Sequence, residues 1–160
     1  MLKIYRLGPY SLTFHSGKAE YSSFQNIDAD VEEGFRIVRR ETGDLSNNEA
    51  CYSLMSGDRE LASIIGYFKT STKFHIERIE NSTGDKNGFR YLSQIYEAME
   101  NDLRERKVRF ITTLSLAKIA HIAVKRYSFY DVDGRDYEEL KGSWLKKIPW
   151  KAVSLEKRLY

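Results

Sequence analysis

Apolar side chains recur at Tyr91, Leu92, Ile95, Tyr96, Met99 and Leu103, while Arg90, Glu97, Glu100, Asp102 and Arg104 fall elsewhere on the wheel. This is a helix with one apolar stripe, and the stripe must be buried against another apolar surface. The segments in front of it supply one. Residues 50–54 and 60–70 read as strands joined at Ser56-Gly57-Asp58-Arg59, a hairpin signal, and residues 74–80 continue the meander by alternation. Behind the helix, residues 108–114 are β-branched and strand-like, and Leu116, Ile119, Ala120, Ala123, Val124 and Tyr127 return to helical spacing. Strand, helix, strand, helix in that order predicts an α/β fold with helices layered on a sheet.

The flanks are read the same way. Leu2, Ile4, Tyr10, Leu12 and Phe14 alternate as strands do. Phe24, Ile27, Val31, Phe35 and Val38, three or four apart, predict one amphipathic helix or two short ones over residues 24–40, followed by a polar loop over residues 41–48. At the far end a short strand over residues 129–132, an acidic loop and a closing strand over residues 152–159 are expected.

A chain of 160 residues can bury a core without metal or disulfide staples, so a single domain over residues 1–160 is expected. No segment approaches the roughly 20 continuous apolar residues of a membrane span. Cys51 is the lone cysteine, no Cys/His spacing resembles a zinc site, and residues 1–14 lack the pattern of a signal peptide. A cytoplasmic protein without a metal is the expectation. The formal charge of +3 comes from basic residues that mostly alternate with acids, so nucleic acid is not the expected partner. The C-terminal lysines from Lys141 to Lys157, with Trp144, Trp150 and Tyr160 as stacking faces, are the exception.

Several strings, in order, resemble the GNAT acyltransferase superfamily, whose members move an acyl group from coenzyme A to an amine. Ile64-Ile65-Gly66-Tyr67 is similar to the family's glycine-bearing strand, and Gly88-Phe89-Arg90-Tyr91-Leu92 to the glycine that opens its central helix. Residues 123–129 (AVKRYSF) resemble the end of its next helix, and residues 153–159 its closing strand. The resemblance covers about residues 50–160. It implies an α+β acyltransferase fold with a central mixed, mostly antiparallel sheet flanked by helices, and acetyl-coenzyme A as cosubstrate. The partner it implies is an amine acceptor on a small molecule or a protein.

The same resemblance implies site residues. The cofactor would contact Ile79, Lys86, Asn87, Gly88, Phe89 and Arg90. Aligning the family's last loop glycine with Gly88 puts Thr83 and Lys86 where the family carries Arg or Gln and then Gly, so phosphate would be held through the side chains of Lys86, Asn87 and Arg90. The family's proton-donating tyrosine maps on Val124 and its asparagine on Ala117, which leaves Tyr130 as the nearby phenol. Glu77, on the strand before the loop, is the candidate base. Strict alternation would turn His75, Glu77 and Ile79 one way and Phe74, Ile76, Arg78 and Glu80 the other. Glu77 and Glu80 also suit surface pairing with Arg78, Tyr127 suits the core, His75 suits a structural or surface role rather than that of a base, and His15 and His121 have no recognisable partner in the sequence. The alternative to an enzyme is an inactive binding or regulatory module that keeps the fold and works through a protein partner. Its 11 tyrosines would suit an interface, and a homodimer stays open.

Overall fold

The computed structural model describes residues 3–7, 10–15, 18–43, 48–82, 88–145 and 152–160. Seven strands come first: β1 (Lys3–Leu7), β2 (Tyr10–His15), β3 (Lys18–Ile27), β4 (Phe35–Gly43), β5 (Asn48–Ser56), β6 (Arg59–Thr70) and β7 (Lys73–Asn81). Then follow α1 (Gly88–Glu105), β8 (Phe110–Leu116), α2 (Ala117–Tyr127), β9 (Tyr130–Asp131), α3 (Tyr137–Leu145) and β10 (Ala152–Arg158). The strands form one 10-stranded sheet in the order β1-β2-β3-β4-β5-β6-β7-β8-β10-β9. Every pairing is antiparallel except β7 with β8, which α1 joins as a crossover. The mixed, mostly antiparallel sheet with helices packed on it is the expected α/β architecture.

The helix stripe and the meander meet as their spacing requires. Tyr52, Ile64, Phe74, Ile95, Met99 and Leu103 are all 0% exposed, and α1 lies over β5 and β6. Each such side chain contributes about 1.5–3 kcal/mol through burial. Gly57, at φ 58°, forms the turn of the β5–β6 hairpin in the left-handed region that its type of turn needs. α2 packs against α3, β8 and β10 and meets α1, its Tyr127 ring 4.5 Å from that of Tyr96. Tyr127 thus takes the core role. No helix among the described residues is long and apolar enough to cross a membrane.

Three expectations are corrected. Residues 24–40 form no helix: β3 and β4 pair across a turn, with Phe24 opposite Arg40 and Ile27 opposite Ile37. The apparent helical spacing arose from counting turn residues in with strand residues. Phe24 is 52% exposed, and Gly34, at φ 84°, supplies the turn. The polar segment over residues 41–48 is partly strand, since β4 runs to Gly43 and β5 begins at Asn48. The acidic loop before the closing strand contains α3, whose start is capped by Asp136 Oδ1 accepting from the Glu139 amide at 2.9 Å. The Asp-x-x-Glu spacing that carries this cap is present in the sequence.

Candidate active site

β7 follows β6 along its whole length but pairs with β8 only over the first part, ending at Ile76 opposite Thr113. Beyond that point β8 continues with β10 as far as Leu116 opposite Ala152, so the two parallel strands part and a V-shaped cleft opens between them. At its vertex the Thr113 hydroxyl donates to the Ile76 carbonyl at 3.1 Å, and His75 Nδ1 lies 2.8 Å from Thr112 Oγ1. On the β8 side, residues 77–80 have no backbone strand partner among the described residues. Peptide groups left this way seek a partner. Ile79 and Leu114, one on each arm, are 50% and 59% exposed.

The parting is built by a bulge. Ile65 pairs with Arg78 and its neighbour Gly66 with Ile76, so Glu77 is an extra residue that faces no partner on β6. Gly66 is required beside it. A Cβ there would lie 2.3 Å from the His75 carbonyl oxygen and 2.6 Å from the Phe74 ring. The bulge also corrects the expected alternation. Ile79 pairs with Ile64 and returns to the α1 face with Phe74 and Ile76, whereas Arg78 and Glu80 share the opposite face with His75.

The sequence-derived candidates fall as follows. Glu77 is exposed at the vertex and makes no hydrogen bond or ion pair among the described residues, while Arg78 pairs with Glu80 at 3.4 Å. Tyr130 is on β9, with β10 and β8 between it and β7, so about 14 Å of sheet separates it from Glu77. Its hydroxyl is bound to Glu156, a hydrogen bond that, with some burial, raises the phenol above its ordinary value. The structure does not bring the two together. Val124 is a partly buried residue packed on the core. Gly88 opens α1 as expected, with its Cα against Asn81: an added Cβ would come within 2.6 Å of the Asn81 amide nitrogen. Arg90 pairs with Glu32 at 3.3 Å. Thr83, Lys86 and Asn87 lie outside the described residues, as does the Phe89 side chain.

Sequence reading passed over the setting of His75. Its ring packs on Tyr67 at a centroid distance of 5.2 Å, and burial, with Lys69 nearby, lowers its pKa below the ordinary 6.5 against the pull of Glu77. Burial and Lys69 thus favour the neutral ring, and Thr112 from the neighbouring strand holds it. Only the β7–β8 register brings that threonine near, so no local signal could have found the pair. Among the described residues no group of three or more His, Cys, Asp or Glu side chains is placed to hold a metal ion.

No protein-family model matches this sequence, and no curated protein matches it. Solved structures do match it by shape. Ard1 from Thermoplasma volcanium superposes with a TM-score of 0.50 at 10% identity, covering 69% of this chain and 70% of that one. Tetrahymena GCN5 gives 0.47 at 8% identity over 70% of this chain and 69% of its own. Nourseothricin acetyltransferase gives 0.46 at 12% identity over 86% and 88%. The meander, the crossover helix, the parting parallel pair and the Ard1 superposition agree with one another, and the chain has the fold of the GNAT N-acetyltransferases.

Proposed function

We propose that this chain is an acyl-coenzyme A-dependent N-acyltransferase that passes an acetyl group directly to the amine of a small molecule or protein. The observation that carries the proposal is the parting of β7 from β8 at the Glu77 bulge. When bound, acetyl-coenzyme A supplies the activated thioester. The peptide groups of residues 77–80 that β8 leaves unpaired suit an extended, amide-bearing arm laid in as the missing strand, and Ile79 and Leu114 offer it apolar walls. The first turn of α1 carries no acidic residue, so the positive dipole end of the helix meets a phosphate without repulsion. Arg90, two residues into the helix, adds a side-chain donor, and in the sequence Lys86 and Asn87 directly precede Gly88. Glu77, free of partners where the arms part, takes the proton that an attacking ammonium must lose.

Calorimetric titration with acetyl-coenzyme A, using desulfo and dephospho analogues as controls, tests this reading. Saturable micromolar binding supports it, and no binding at millimolar ligand overturns it. A second reading, a non-catalytic module working through a protein partner, is favoured by Val124, a core residue where the resemblance calls for a proton-donating tyrosine. Cofactor binding without turnover on any amine, together with a stable complex with another protein, would select that reading.

A further inference from the structure

Among the described residues one ladder joins β1 to β7 with β8, β10 and β9, and it is the parallel one, from Lys73 opposite Phe110 to Ile76 opposite Thr113. Parallel pairing is slightly less stable per residue than antiparallel pairing, and a ladder this short has little of its own to fix where it stops. The stopping point matters here. The last pair decides that Glu77 is the first residue of β7 that β8 leaves alone.

Both ends of the ladder are fastened by groups beyond its strand pairing. At the closed end the Thr72 carbonyl accepts from the Arg109 and Phe110 amides at 2.8 Å and 3.1 Å. At the open end the fastening comes from the side chains of two consecutive residues. Thr112 Oγ1 lies 2.8 Å from His75 Nδ1, and the Thr113 hydroxyl donates to the Ile76 carbonyl at 3.1 Å. His75 with Thr112 and Ile76 with Thr113 are the last two register pairs. Neighbours on a strand face opposite ways, so Thr112 binds on the side turned from α1 and Thr113 on the side towards it. Ile76 is buried and Thr113 half-buried, which shields their bond from competing water. His75 is held from its other flank as well, by the Tyr67 ring of β6. Threonine suits strands by shape alone, but shape does not require two successive hydroxyls bonded to the last two partners of a ladder.

We infer that Thr112 and Thr113 are positioning residues, a clasp on both faces of the sheet that fixes the point where β8 leaves β7 and thereby holds Glu77 and residues 78–80 at the mouth of the cleft. Neither threonine acts on a reacting atom in this role; each acts through β7. A consequence for cofactor binding rests on the acyl-transfer reading, but the hold on the strands does not.

The test is backbone amide hydrogen exchange on the full chain without ligand, for Thr113→Val, Thr113→Ser and Thr112→Val, followed by calorimetric titration of each protein with acetyl-coenzyme A. Valine keeps the shape and the strand preference and deletes the hydroxyl. Thr113→Val is expected to speed exchange of residues 74–76 and 112–114 about fivefold, with the amides of α1 and β5 unchanged. Thr113→Ser is expected to restore the parent rates. Thr112→Val is expected to speed the same amides about threefold and to shift the imidazole nitrogen resonances of His75, whose Nδ1 loses its partner. Acetyl-coenzyme A is expected to bind about threefold more weakly to each valine variant and normally to Thr113→Ser. Unchanged exchange at the vertex in both valine variants overturns the inference, as does faster exchange spread evenly over the sheet, which marks a general loss of stability. A loosened vertex with undiminished cofactor affinity overturns the positioning role. A loosened vertex in a chain whose parent form fails to bind acetyl-coenzyme A would leave the clasp standing and remove the acyl-transfer reading.

Discussion

Arg39 of β4 and Asp102 of α1 form an ion pair with both side chains only 9% exposed, their nearest atoms 2.5 Å apart, which pins the C-terminal half of the helix to the sheet. The other carboxylate oxygen of Asp102 accepts from the Tyr52 hydroxyl at 2.6 Å. Glu41, 3.6 Å from Arg39 Nε, completes the cluster and is itself paired with Arg106. Removing one partner strands the other charge in the interior. Asp102→Ala is therefore expected to cost about 3–5 kcal/mol in denaturant unfolding, and an apolar replacement of Arg39 and Asp102 together to recover most of it. A loss below about 1 kcal/mol for the single variant would show that water reaches the pair.

Gly66→Ala tests the bulge. The added methyl would meet the His75 backbone, which cannot swing aside as a side chain can. A loss of about 1–3 kcal/mol is expected, with the amide signals of residues 74–79 shifting more than those of α1. An unchanged midpoint and unchanged spectra would mean that Gly66 does not hold the strands at that distance.

His75 should titrate below its ordinary value, since burial and Lys69 disfavour the charged ring more than Glu77 favours it. The folded pKa is depressed, so its contribution to stability is present above the unfolded pKa near 6.5 and is lost as pH falls through the lower folded value. Imidazole resonances followed by NMR from pH 8 to pH 4 measure this directly. Unfolding midpoints of His75→Gln should depend less on pH over that window than those of the parent, and parallel curves would contradict the assignment.

For catalysis, Glu77→Gln is expected to lower kcat about a hundredfold at neutral pH with an unchanged melting temperature. Tyr130→Phe is expected to leave turnover within about twofold, because the phenol is across two intervening strands and bound to Glu156. A large loss from the tyrosine change and none from the glutamate change would reverse these roles.

Patterns confined to one segment could be read directly. The stripe from Tyr91 to Leu103 specifies α1 because a helix repeats its face every three or four residues, and the Gly57-Asp58 pair specifies the β5–β6 hairpin because its backbone must turn within two residues. Gly88 was legible as the start of the helical pattern, whereas Gly66 entered only through the resemblance, since its closeness to His75 is a contact between strands. The region of residues 24–40 misled because its apolar residues, counted through the turn between β3 and β4, fall at helical spacing, and only pairing with β5 decides that β4 is a strand: Ile37 is buried opposite Leu54 and Arg39 opposite Tyr52. Local propensity is weak beside such tertiary contact.

The site followed the same division. That Glu77 lies on a strand ahead of a glycine-opened helix was legible, but the bulge that makes it the odd residue exists only as a mismatch between β6 and β7. His75 with Thr112, and Ile76 with Thr113, are neighbours across strands far apart in the chain. The sequence by itself determined which segments could be helix or strand and where the chain could turn, because those depend on side-chain periodicity and backbone freedom within a few residues. Tertiary structure alone decided which residues oppose one another, where β7 leaves β8, and which charges are left without partners, because register is settled by the packing of the whole sheet.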